Sequence, residues 1–165
     1  IPIRVSDTAT GEDVTPHYPV IEYPHVAGGG DAIGSGFLYT GRRLPALRGK
    51  YIFTDISTGR IWYADYKDML EADDGKPETL AAIHSVSIAW ASSATQPRTQ
   101  YPSMFPIVEE AYHRRGGLAE HLPGAALVSA NGRADAQLAT DASGELYLLT
   151  KSDGVIRSVV GATVR

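Results

Sequence analysis

At 165 residues the chain is long enough for one ordinary domain and too short for a β-propeller of four or more blades. Its 43% hydrophobic and 21% charged content is that of a folded globular protein, and a net charge of −4 offers no basic face for nucleic acid. The absence of cysteine excludes disulfides and thiolate metal sites, no apolar run approaches the ~18 residues of a membrane span, and no signal peptide opens the chain.

Residues 1–18 are polar and rich in Pro and Thr after a short apolar start, and read as a linker or edge strand. Pro19 to Tyr23 (PVIEY) has the pattern of an outer strand whose sheet is otherwise missing. Gly28-Gly29-Gly30-Asp31 is a loop, since three glycines lose more backbone entropy than a strand interior tolerates. Gly36 to Thr40 reads as a strand, followed by the link Leu44 to Gly49. Tyr66 to Ala72 is predicted as a short helix closed by Asp73-Asp74-Gly75, and Thr79 to Val86 as a fourth strand. Residues 87–126 interrupt this pattern with a helical insertion. Within it Met104, Ile107, Val108, Ala111 and Tyr112 fall at helical spacing, with Ser103 as cap, Pro106 in the first turn and Gly116-Gly117 after the end. That stripe is read as core. Ala136 to Thr140 is a further strand, with a turn at Asp141 to Gly144.

Two stretches repeat. Residues 51–62 read YIFTDISTGRIW and residues 147–157 read YLLTKSDGVIR. With one gap, Tyr51, Thr54, Ser57, Gly59 and Ile61 fall on Tyr147, Thr150, Ser152, Gly154 and Ile156. Each copy is an apolar run, a polar cluster ending in Gly, and a second apolar run, which is the pattern of a hairpin. A repeated hairpin with flanking strands implies a repeated sheet of about 40–50 residues, the size of one propeller blade. The expected fold is therefore all-β: a partial β-propeller of about two four-stranded blades spanning 19–165, plus flanking strands and one inserted short helix. Tyr51 and Tyr147 are expected in like settings, and open blade edges are expected to drive aggregation or dimerisation of the chain alone.

The stretches PVIEYPH, GSGFLYTG, LPALRGKYIFTD, STGRIW and DASGELYLLTKSDGVIR resemble the carboxy-terminal part of the glucose/sorbosone dehydrogenase family. The resemblance covers residues 19–66 and 133–160, and more weakly 87–126. It implies a segment of a six-bladed propeller, a periplasmic or secreted setting, and oxidation of a sugar hydroxyl by hydride transfer to pyrroloquinoline quinone, with calcium polarising the quinone and a histidine as base. In the family the base and calcium ligands lie in the amino-terminal half, so most cofactor ligands are expected outside this chain. None of His17, His25, His84, His113 and His121 matches the base's motif. Where family members carry a tryptophan–threonine pair, a lysine and two arginines, this chain holds Gly28 and Gly30, then Ser57, then Ala134 and Ala136. Arg133 lies one place from an arginine position, and Lys151 is a cation on the other hairpin. The alternative is a non-catalytic propeller that binds carbohydrate or protein.

Four residues are the candidate cofactor contacts: Asp55, Ser57, Arg133 and Gly30. Asp55 and Ser57 either reach a cofactor or sugar or satisfy the amides of their own turn. The Gly30 backbone either approaches a ligand, with Asp31 and His25 nearby, or belongs to an inter-blade connection. Arg133 either pairs with a cofactor carboxylate or forms a surface ion pair with Asp135 or Asp141. No metal site is assigned within the chain. The Asp141 to Glu145 stretch lacks the spacing of a helix-loop-helix calcium site and reads as a turn.

Overall fold

The structure, a computed structural model, describes residues 17–27, 29–126, 128 and 132–163. Most of the expected linker, and Gly28, lie outside the described residues. The fold is all-β with a small helical insertion. A first antiparallel sheet orders β1 (Ile33–Leu38), β2 (Lys50–Asp55), β3 (Ile61–Asp65) and β4 (His84–Ser85) in sequence, with a 3-10 turn at Pro45–Leu47 and helix α1 (Tyr66–Ala72) after β3. A two-stranded ribbon of β5 (Ile88–Trp90) and β6 (Thr99–Tyr101) and helix α2 (Phe105–Arg114) follow. The last sheet orders β7 (Ala136–Thr140), β8 (Leu146–Thr150) and β9 (Val155–Ser158).

Several local expectations need correction. Pro19 to Tyr23 forms no strand: prolines at 19 and 24 remove ladder donors, and one bond, from the Ala81 amide to the Val20 carbonyl at 2.8 Å, ties the segment to its neighbour. The fourth strand shrinks from eight residues to His84–Ser85, set opposite Tyr63 and Trp62 of β3. The insertion holds the β5–β6 ribbon as well as its helix; strands of three residues are too short to show a period. Ser103 is not the cap of α2. Met104 is, without a side-chain bond, and its amide goes to the Gly59 carbonyl at 2.8 Å.

The helix itself buries the expected face, with Ile107, Val108 and Tyr112 inside and Pro106 in the first turn. They join Ile52, Tyr63, Leu138, Leu146 and Leu148 in one core between the two larger sheets. Each such side chain stabilises the fold by about 2 kcal/mol through burial.

The hairpins do repeat, but on a different alignment from the letters. In each, the closing glycine has φ +68° and donates its amide to the carbonyl four residues back, Gly59 to Asp55 and Gly154 to Thr150. Only glycine takes that φ freely. Turn positions therefore correspond at a spacing of 95, which keeps Ser57 with Ser152 but sets Thr150 against Asp55 rather than Thr54. In the strands the same spacing sets Phe53 against Leu148 and Tyr51 against Leu146. Tyr51 stacks on Phe53 with ring centroids 6.1 Å apart. Tyr147 alternates with the buried Leu146 and Leu148, and so faces the other way, its hydroxyl donating to Asp141. A slip of one residue exchanges the faces of a strand, so Tyr51 and Tyr147 occupy unlike settings.

The two sheets are joined through their first strands. β1 carries an irregularity between Ile33 and Gly36, and Ser35 within it donates its hydroxyl to the Leu138 carbonyl at 2.8 Å and accepts the Leu138 amide at 2.5 Å. A bulge re-aims one residue out of its ladder, here onto β7. At the other end of β1, the buried Glu145 carboxylate accepts from the Tyr39 hydroxyl at 2.6 Å and from the Arg42 and Arg43 amides at 2.9 Å each. Those three donors hold its carboxyl below the usual glutamate range, the tyrosine bond first, while burial and the same contact push the Tyr39 phenol up.

Candidate functional site

The turn from β2 to β3 meets the chain ahead of β1 at one carboxylate. Asp55 is fully buried. Its Oδ1 accepts the Thr58 amide at 2.7 Å and the Thr58 hydroxyl at 2.8 Å. Its Oδ2 accepts the amides of Asp31 at 2.6 Å and Ala32 at 2.7 Å, and the Tyr23 hydroxyl at 3.2 Å. Burial pushes this carboxyl up, but the bonds from Thr58, Asp31 and Ala32 to its charged form together outweigh that effect and hold it below the ordinary aspartate range. The Tyr23 phenol is pushed up to about 12, first by burial and then by the Asp55 charge and hydrogen bond. Tyr23 also stacks on Trp62, centroids 4.9 Å apart and planes 12° from parallel, and on His25 at 5.9 Å.

Beside this junction opens a cleft of about 550 Å³. One wall comes from the segment ahead of β1, including His25, Gly30 and Asp31; the facing wall carries Thr58 and Arg60 from the turn and Ser103 and Phe105 from the start of α2. Gly30 is at the wall because nothing larger fits: a Cβ there would lie 2.0 Å from the Tyr23 ring.

The four candidate contacts divide. The Gly30 backbone lines the cleft. Asp55 lies behind it with both oxygens engaged, and Ser57, also buried, donates its hydroxyl to Asp31 Oδ2 at 2.5 Å. Arg133 turns its Nε to Asp135 at 2.9 Å, while its carbonyl accepts from the Ser152 hydroxyl. The structure thus brings Asp55, Ser57 and Gly30 together around Asp31 and leaves Arg133 in an ion pair next to Gly132, which lines the cleft. Lys151 is exposed on the second turn. Arg60, Thr58 and Ser103 escaped sequence reasoning. Arg60 follows the turn glycine directly, a position whose side chain matters only once the distant segment at 23–32 is seen across from it.

Arg60 supplies a permanent positive charge and His25 an imidazole, while Gly29 and Gly30 are glycines because Pro24 and the Tyr23 ring occupy the space a side chain would need. The Asp55 oxygens already face N–H and O–H hydrogens, and among the described residues no three His, Asp or Glu side chains gather as a metal site. Comparison of the chain with protein-family models, with curated proteins and with solved structures found no match.

Proposed function

We propose that the chain forms part of a β-propeller of the quinoprotein sugar-dehydrogenase type, in which the cleft at the turn end holds an anionic, oxygen-rich ligand. The observation that carries this reading is the cleft itself, with Arg60 and His25 on facing walls and a volume within the ~300–1,000 Å³ of small-molecule sites. Two sheets joined through their first strands support the radial arrangement, as do Ile33, 66% exposed on the first sheet, and Ile156, 68% exposed on the last, where further sheets of the same protein would pack. Pyrroloquinoline quinone is a carboxylate-bearing quinone that accepts the hydride of sugar oxidation when bound. Arg60 and His25 would hold its carboxylates. Calcium is not assigned to these residues, and no step is routed through it. A sugar substrate and a periplasmic or secreted setting accompany this reading.

A second reading, a propeller that binds carbohydrate or protein without catalysis, is favoured by the engagement of Asp55, Ser57 and Arg133 with the protein's own groups. Absorbance titration of the quinone into the chain separates the two. The first reading expects saturable binding that Arg60→Ala weakens at least about tenfold, the weight of a charged hydrogen bond, and dye reduction by aldoses in the gene product that carries this segment. No quinone binding, with carbohydrate binding retained, leaves the second.

A further inference from the structure

The segment between Tyr23 and Ala32 belongs to no sheet. Its described residues, 23–27 and 29–32, are tied to one another by two backbone bonds, the Gly29 amide to the Val26 carbonyl at 2.8 Å and the Gly30 amide to the Pro24 carbonyl at 3.3 Å. The first and last parts are packed together, since the Gly30 backbone lies flat against the Tyr23 ring with no room for a Cβ. Among the described residues, its ties outward run to the β2–β3 hairpin: the Tyr23 ring on Trp62, the Asp31 carboxylate to Ser57, the Ile56 amide to the Ala32 carbonyl at 2.8 Å, and three bonds to Asp55 Oδ2. One oxygen therefore fastens both ends of the segment, while the other oxygen of the same carboxylate fastens the turn through Thr58.

We propose that the Tyr23–Ala32 segment is a strap that opens as one unit away from the hairpin, with the Asp55 carboxylate as its latch. The strap forms one wall of the cleft and the hairpin turn with the start of α2 forms the other. Opening parts those walls, so the latch sets how large a ligand enters. This holds whichever ligand the cleft takes. Asp55 is a positioning residue: its oxygens touch the strap and the turn and leave none for the ligand.

Amide exchange resolved by NMR, with acrylamide quenching of Trp62 in a Trp90→Phe background, tests it. In the wild-type protein the Asp31 and Ala32 amides are expected to exchange by a local opening, faster than the amides of β2 and β3 and with little dependence on denaturant. Asp55→Asn is expected to speed them at least about tenfold, the weight of one bond to a charged group, to expose Trp62 to quencher, and to leave β8 amides unchanged. Tyr23→Phe removes only one of the three bonds and gives a smaller change in the same direction. If Asp31 and Ala32 exchange only with β2 and β3, on the same denaturant dependence, the strap does not open as a unit and the proposal fails, whether or not Asp55→Asn folds. It fails equally if Asp55→Asn folds and leaves both amides and Trp62 unchanged.

Discussion

The two hairpin turns are one design with two of its side chains exchanged. In the first, the carboxylate stands at the strand end, Asp55, and the hydroxyl three residues on, Thr58; in the second the hydroxyl comes first, Thr150, and the carboxylate follows, Asp153. Both pairs bond across the turn, at 2.8 and 2.5 Å. Both turns keep a serine that bonds the chain entering the neighbouring strand, Ser57 to Asp31 and Ser152 to the Arg133 carbonyl. The exchange decides what the carboxylate can reach. From the strand end, Asp55 turns outward and gathers a separate segment. From the loop, Asp153 turns back over its own sheet to Arg157 on β9, whose guanidinium also donates to Thr150 at 2.6 Å and lies 5.3 Å from the Trp90 ring. Turn chemistry alone asks only for an oxygen acceptor near the amides. Its position along the turn makes one copy a binding wall and the other an internal brace.

The sharpest way to break that contrast is at the brace. Asp153→Ala leaves the Arg157 guanidinium, 8% exposed, without its anion, and is expected to destabilise by about 3–5 kcal/mol, read as a lower midpoint in urea. Asp55→Ala strands the Asp31, Ala32 and Thr58 amides, and a loss of about 3 kcal/mol is expected, with disorder confined to the cleft side. A smaller effect comes from acid. The carboxyls of Asp55 and Glu145 are held below their ordinary values when folded, so the stability they contribute is complete above about pH 4.5, the higher of those ordinary values, and is lost as pH falls through their folded values. Asp55→Asn should therefore flatten the acid limb of an unfolding-versus-pH curve and leave the neutral region sloping as before. At the far end, Lys67→Ala cuts a fully exposed helical pair with Glu71, and no measurable change in the urea midpoint is expected.

The same comparison shows what the letters could carry. Strands β2, β3, β7 and β8 and the face of α2 were legible because each is a run of apolar residues with the right period between turn residues, and helix α1, which buries only Ala72, was legible from the Asp73-Asp74-Gly75 stop that follows it. The register of the repeat was not. Tyr51 and Tyr147 match by name, but the glycine turns fix the alignment one residue away, and nothing in a single line of letters weighs a backbone bond above a shared tyrosine. At the cleft, Gly30 and the neighbouring acids stood out as a glycine loop. Arg60 did not, since its importance comes from what lies opposite. Asp55 was singled out for the right turn, yet whether its oxygens face a ligand or the protein depends on the Asp31 and Ala32 amides, more than twenty residues earlier.

Asp55 is an ionised, fully engaged hub, and a carbon-13 titration of its carboxyl group, followed with the Asp31 and Ala32 amide protons, tests that most directly. The expected result is a midpoint below the ordinary 3.8, with both amide signals moving on the same curve. A midpoint at or above 3.8, with the two amides indifferent to it, would contradict the account.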